Sequence, residues 1–363
     1  MSQQIRHNPL WSMAIPPAGL AILALSWLAP DIPGLVALIV LGLIGNVIAS
    51  VHHAEVIAHR VGEPFGTLVL ALAVTIIEVA LIVSMMLSGG ADAAGLARDT
   101  VFAAIMIILN GIIGASLLVG GRRHGVQGFR LDGVNAALGA LTVIAVFTLI
   151  LPNYSTSAAG PVYTSSQLIF VAIAVLLLFV AFTLFQTIGH RDYFLPTDED
   201  EDDPDKHAAQ PTTRDALTSL ALLLVALVAV VLSAKAISPS IEAALGAFGA
   251  PAATLGILIA AIVLMPESVA AIRAAHSNRL QTSLNLAIGS AIASIGLTVP
   301  VVAVLAVVMG WPLQLGLDMK QTLLLVLSLF VVSISLRTGR TTVLPGVVHL
   351  VIFAAYLFLS FVP

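Results

Sequence analysis

Two glutamates, Glu78 and Glu267, stand about 190 residues apart, each in an otherwise apolar run of helix length: residues 62–82 (GEPFGTLVLALAVTIIEVALI) and 251–272 (PAATLGILIAAIVLMPESVAAI). A carboxylate near the middle of a membrane span costs ~2.5 to 3.5 kcal/mol on insertion scales, so such a residue marks a functional site by default. Thr75 lies one turn before Glu78 on the same helical face; its hydroxyl either faces the carboxylate or bonds back to its own helix. Beside Glu267, Pro266 has no N–H to donate to the carbonyl of Ile262, which leaves an oxygen one turn before the carboxylate, and the Ser268 hydroxyl follows. Carboxylate, carbonyl and hydroxyl are hard donors that suit Ca²⁺, Na⁺ or protons. The plainer alternative is a kinked structural helix whose glutamate pairs with a buried neighbour, but no mid-span Lys or Arg is available as the partner.

The elements that must carry these residues follow from composition. With 59% hydrophobic and 9% charged residues among 363, and a mean hydropathy of +1.07, the chain cannot cover a soluble globule with polar groups. Apolar runs of the length a helix needs to cross a ~30 Å hydrocarbon core recur throughout, whereas a β-barrel would show short alternating segments. An all-α polytopic membrane protein is expected. There is no cysteine, so disulfides, iron–sulfur clusters and thiolate chemistry are excluded together. Much of the acid behind the net charge of −4 sits in residues 198–205. The start, MSQQIRHNPLWSMAIPP, shows no small-residue cleavage site after a short apolar core, so no cleaved signal is read.

Eleven spans are expected, near residues 16–29, 34–57, 65–88, 100–121, 131–151, 165–188, 215–237, 251–273, 281–309, 321–337 and 342–362. The first is short and bounded by Pro16, Pro17 and Pro30, which leaves a re-entrant or tilted segment open. Sorting the basic residues onto alternate sides puts Arg6, Arg60, Arg122, Arg123, Arg130, Arg191, Lys206, Arg214, Arg273, Arg279, Arg337 and Arg340 on one side and only Arg98, Lys235 and Lys320 on the other. Positive charge is retained inside, so the amino terminus is expected in the cytoplasm and the carboxyl terminus outside. The chain then divides into an amino-terminal stretch and first helix (1–33), five helices (34–190), an acidic cytoplasmic linker (191–214) and five more helices (215–363). An odd number of crossings per unit starts the second unit from the opposite side, the mark of an inverted repeat. Glu78 and Glu267 fall in the second helix of each unit and so are expected to form one composite site, symmetric in plan and unequal in ligands.

The third helices also correspond, with Asn110-Gly111-Ile112-Ile113-Gly114-Ala115-Ser116 in one and Ser290-Ala291-Ile292-Ala293-Ser294-Ile295-Gly296 in the other. Either these small faces serve close helix packing, or Asn110, Ser290 and Ser294 supply oxygens beside the glutamates. At the cytoplasmic end of the second span, His52, His53, Glu55 and His59 form a cluster that could sense pH, or an ordinary interfacial helix end. The acidic run from Asp198 to Asp205 could concentrate Ca²⁺, but it lacks the spacing of an EF-hand loop and also reads as a solvated linker.

The stretches GEPFGTLVLALAVTIIEVALI, ILNGIIGASLLVGG, LIAAIVLMPESVAAI and NRLQTSLNLAIGSAIASIGLTVP resemble the paired repeats of the calcium/cation antiporter superfamily. The likeness is greatest to bacterial calcium/proton (sodium/proton) antiporters of its cation/proton exchanger branch, and it covers nearly the whole chain. It implies that Glu78 and Glu267 are the principal metal ligands and proton carriers, completed by polar groups of spans four and nine. Many branch members carry a Gly-Asn pair before each glutamate where this chain has Val74-Thr75 and Val263-Leu264; Pro266-Glu267 is similar to the sodium/calcium exchangers instead. Fewer amide ligands leave room for Na⁺ or K⁺. The expected activity is an inner-membrane antiport that expels Ca²⁺, Na⁺ or K⁺ for protons by alternating access, in a lipid bilayer, with no cofactor beyond the transported ions and no nucleic-acid partner. The rivals are a Na⁺/H⁺ or K⁺/H⁺ antiporter with little calcium transport, and a passive channel. An intramembrane enzyme is disfavoured, because no H-E-x-x-H or serine-nucleophile motif lies in a span.

Overall fold

The computed structural model describes residues 8–29, 32–62, 65–89, 94–195, 211–247, 249, 251, 253–311 and 313–362, so the acidic run from Asp198 to Asp205 lies outside the described residues. Among them the chain is all-α. In order, the helices are α1 Leu10–Leu28, α2 Leu35–Val61, α3 Phe65–Gly89, α4 Leu96–Met106, α5 Ile113–His124, α6 Leu131–Ala145 and α7 Ser165–Leu184. They continue with α8 Thr213–Ala247, α9 Ala253–Val263, α10 Met265–His276, α11 Leu280–Met309, α12 Met319–Ser335 and α13 Val343–Phe361. A π-helical turn, Ile107–Ile112, joins α4 to α5 as one continuous rod. Two-residue strands β1 (Gln127–Gly128) and β2 (Arg340–Thr341) pair antiparallel, Gln127 opposite Thr341.

Helices stand at all eleven expected positions. Among the described residues eight are long and apolar enough to cross a bilayer, or nine if the bent pair α9–α10 counts as one span, and Met319–Ser335 is apolar but shorter. The boundaries differ most at α8, which runs to Ala247 with Pro239 inside it where a span ending near 237 is expected, and at the first helix. The first helix starts at Leu10, and Pro16 and Pro17 lie inside it.

The chain forms two compact units, each drawing helices from both halves of the sequence: Met1–Ser88 with Asp203–Gly249, and Gly89–Asp202 with Ala250–Pro363. In the first unit α2 packs on α1 and α8, and Ala54, Ala73 and Leu223 join α2, α3 and α8 in one buried cluster. Without water to drive association in lipid, small residues that admit a neighbour closely do much of this work. A Cβ on Gly45 of α2 would stand 3.3 Å from Ile15 of α1. In the second unit the α4–π–α5 rod is the centre, and Phe102, Ile105, Met106, Ile108, Leu109, Ile113 and Leu117 are fully buried along it. Around it pack α9, α10, α11 and α13, while α7 lies on α11 and exposes Phe170 and Leu177 outward, as a lipid-facing helix does.

Candidate functional site

In the second unit, α9 and α10 meet at an angle of 57°. The break falls where Pro266 has no N–H for the Ile262 carbonyl, and α10 restarts with Pro266 in its first turn. Glu267 is the next residue. It is 7% exposed and stands at the N-terminal end of this half-helix, where the partial positive charge of the peptide dipoles lies beside its carboxylate. Ser268 is half-buried and donates its hydroxyl proton to the Leu264 carbonyl at 2.6 Å, so toward a cation it presents only lone pairs. Ile262 is half-buried at the end of α9.

Two further elements carry expected ligands to the same unit. Both α10 and α11 pack on the π turn that holds Asn110. Ser294 of α11 is buried and Ser290, one turn earlier, is half-buried. The π turn inserts an extra residue per turn into the rod, a device that recurs at functional sites because it re-aims one side chain. Asn110 is completely buried. Its Nδ2 donates to Ser328 Oγ of α12 at 2.8 Å, and its Oδ1 lies 3.1 Å from Nδ1 of His349 on α13. The small residues beside it pack as well: a Cβ on Gly114 would lie 3.0 Å from that of His349. Close packing is found on this face, and the Asn110 amide is bonded to α12 and α13. Ser328 and His349 were not expected from the sequence, where the only signal is a polar residue in an apolar run.

In the first unit, Glu78 is 3% exposed and lies within α3, which runs unbroken from Phe65 to Gly89. Thr75 is buried one turn before it. The two glutamates therefore differ in setting, one in a continuous helix and one at the head of a half-helix.

The histidine cluster at the end of α2 does not share one environment. His53 is completely buried, His52 is half-buried with its ring 5.1 Å from that of Trp11, and Glu55 and His59 are exposed. His53 Nε2 lies 2.9 Å from the Ser12 carbonyl and Nδ1 lies 3.3 Å from Ser219 Oγ of α8. Ser12 is the residue whose carbonyl loses its helical donor to Pro16. Histidine fills that gap, which explains how Pro16 is tolerated inside α1. Ser219 donates onward to Asn8 Oδ1 at 2.8 Å, and Asn8 Nδ2 to the Asp215 carbonyl at 3.1 Å.

Comparison with known proteins matches the sodium/calcium exchanger protein family over residues 32–188 and 218–362. A putative ionic transporter, y4hA, of Sinorhizobium fredii is 47% identical over 98% of this chain and 97% of its own. The sodium-potassium/proton antiporter ChaA of Escherichia coli is 38% identical over 98% of this chain and 97% of its own. Among solved structures, that of an H⁺/Ca²⁺ exchanger, CAX, superposes with a TM-score of 0.74 at 16% identity over 98% of this chain and 89% of that one, a likeness of fold.

Proposed function

The chain belongs to the sodium/calcium exchanger protein family, a family of transporters, and on that footing we propose that it is a secondary cation/proton antiporter rather than an enzyme. The observation that carries this reading is Glu267, a buried carboxylate at the start of the second half of a broken, membrane-length helix pair. Half-helix ends are where carriers place transported ions, because dipoles and released backbone oxygens are available there without lipid contact.

A buried carboxylate charge is costly, and a bound cation or a proton relieves that cost, so Glu78 and Glu267 each exchange one for the other. Binding of one expels the other, and exchange follows from that competition. Two carboxylates that exchange protons balance one Ca²⁺ with two H⁺. Around Glu267, Ser268, Asn110, Ser290, Ser294 and the Ile262 carbonyl are the supplementary oxygens; beside Glu78 it is Thr75. The ions themselves are the only cofactors required.

We read all eleven apolar helices as crossings of a bacterial inner membrane, with the amino terminus in the cytoplasm, the carboxyl terminus outside, and residues 34–190 and 215–363 as inverted five-helix repeats joined by a cytoplasmic linker at 191–214. The inward proton gradient then expels Ca²⁺, Na⁺ or K⁺. A narrower alternative, Na⁺/H⁺ or K⁺/H⁺ exchange with little calcium transport, is favoured by the 38% identity to a sodium-potassium/proton antiporter. We read the cluster His52, His53, Glu55 and His59 at the end of α2 as a sensor of cytoplasmic pH whose responsive members are His52 and His59, because His53 keeps its bond to Ser12.

The test uses everted membrane vesicles holding a respiration-driven pH gradient, to which Ca²⁺, Na⁺ and K⁺ are added separately. Antiport dissipates the gradient with saturable dependence on at least one of them. A gradient indifferent to all three refutes antiport, and the ranking of the three decides between the readings.

A further inference from the structure

Asn110, Ser328 and His349 are brought together from three elements of the second unit, and all three are completely inaccessible to solvent. The direction of every hydrogen bond among them can be worked out. Ser328 has one proton, and it is directed away from Asn110, to the Leu324 carbonyl at 2.7 Å with Met106 Sδ 3.5 Å away. Toward Asn110 the Ser328 oxygen can therefore only accept, so the amide nitrogen of Asn110 faces α12 and its carbonyl oxygen faces α13. An amide oxygen only accepts. The 3.1 Å contact to His349 thus requires the imidazole proton on Nδ1.

The consequence for His349 is that Nε2, in the neutral ring, is a bare acceptor. It is buried without a hydrogen-bond partner among the described residues. A buried acceptor left unmade lowers stability, and an apolar side chain would serve the crossing of α5 and α13 better. What an apolar side chain cannot do is hold the amide of Asn110 from its oxygen side. With Nδ1–H in place the amide is pinned at both ends, and its oxygen keeps one lone pair.

We propose that His349 is a positioning residue of the cation site: its Nδ1–H fixes the carbonyl oxygen of Asn110 as a cation donor and prevents the amide from turning its NH₂ group toward the ion. The inference rests on reading Asn110 as an oxygen donor to the transported cation. The π turn, α9 and α11 carry no ionisable residue; those of the other packed elements are Lys320 on α12, Arg122, Arg123 and His124 at the end of α5, Tyr356 further along α13, Arg98 and Asp99 at the start of α4, and Glu267, Arg273 and His276 on α10, of which Glu267 is itself read as a cation ligand.

The two ring nitrogens can be separated by substitution, because an asparagine amide reaches the place of Nδ1 and a glutamine amide that of Nε2. His349→Asn and His349→Gln are compared with the parent, with Asn110→Ala and with the double variant Asn110→Ala/His349→Gln. The full-length proteins are reconstituted in liposomes, and the Na⁺, K⁺ or Ca²⁺ concentration that gives half-maximal proton exchange is measured alongside the maximal rate. His349→Gln is expected to raise the half-maximal concentration about tenfold, the worth of one buried hydrogen bond, with a smaller change in maximal rate. His349→Asn should restore the parent value to within about threefold, and the double variant should be no worse than Asn110→Ala, since the histidine acts through that residue.

Equal behaviour of the Asn and Gln variants, or effects of Asn110→Ala and His349→Gln that multiply, would overturn the positioning role. If instead Asn110→Ala leaves the half-maximal concentration unchanged, it is the assignment of Asn110 to the cation site that fails.

Discussion

His53 donates its Nε2 proton to the Ser12 carbonyl at 2.9 Å, and that carbonyl is the acceptor left unfilled by Pro16 four residues further along α1. A hydrogen bond between helices has replaced one within a helix. His53→Leu leaves a desolvated oxygen and should lower stability by about 1 to 3 kcal/mol. Pro16→Ala restores the helical N–H, so the same histidine substitution should cost much less in that background. Thermal unfolding of the four proteins in detergent, followed by tryptophan fluorescence, measures the cycle; an equal penalty with and without Pro16 would show that the two residues are not linked.

The same bond bears on pH. A carbonyl accepts from neutral and protonated histidine alike, so titration of His53 preserves its link to α1 and acts only on the contact to Ser219. Sensing at this helix end therefore falls to His52 and His59. The double variant His52→Ala/His59→Ala should stay folded and show a flattened dependence of exchange on cytoplasmic pH. A pH profile that superposes on the parent's would assign the cluster to the membrane interface alone.

Pro266 should matter more to transport than to folding. Pro266→Ala supplies the missing N–H to the Ile262 carbonyl and favours a straight α9–α10 in place of the 57° bend. We expect protein of normal yield whose exchange rate falls about tenfold or more, an effect of the size expected for misplacing a reacting group by an ångström. Retention of full exchange would mean that the released carbonyl and the helix break are incidental to the site.

Packing in the second unit gives a sharper contrast. A Cβ on Gly346 of α13 would stand 2.5 Å from the Leu118 backbone nitrogen and 2.8 Å from the Gly114 carbonyl oxygen, whereas one on Gly139 of α6 would meet nothing within 4 Å. Backbone cannot step aside as a side-chain tip can. Gly346→Val should reduce the yield of monodisperse protein severely and Gly139→Ala should not, as read by size-exclusion chromatography of detergent extracts; similar yields would place the α5–α13 crossing elsewhere.

The positions of the helices were legible because bilayer thickness imposes a length on every apolar run, and the break before Glu267 because a proline announces a missing donor. Pro16 and Pro17 misled for the same reason. They read as a helix boundary, since nothing local shows that His53, 41 residues away, replaces a lost bond. The surroundings of Asn110 were hidden likewise, for its partners are 218 and 239 residues distant and the π turn that aims it reflects tertiary packing. Nor does alternation of charge reveal that the compact units take helices from both halves of the chain, because that grouping depends on contacts among distant elements.

The most direct measurement is cation-driven collapse of the pH gradient in everted vesicles for Glu78→Gln and Glu267→Gln beside the parent, at equal protein abundance. Glutamine keeps the size and one oxygen of each side chain and removes the exchangeable proton and charge. Both substitutions should abolish collapse by every cation the parent transports, while the proteins stay folded. If either variant collapses the gradient as the parent does, that carboxylate is not a carrier of the exchanged ions.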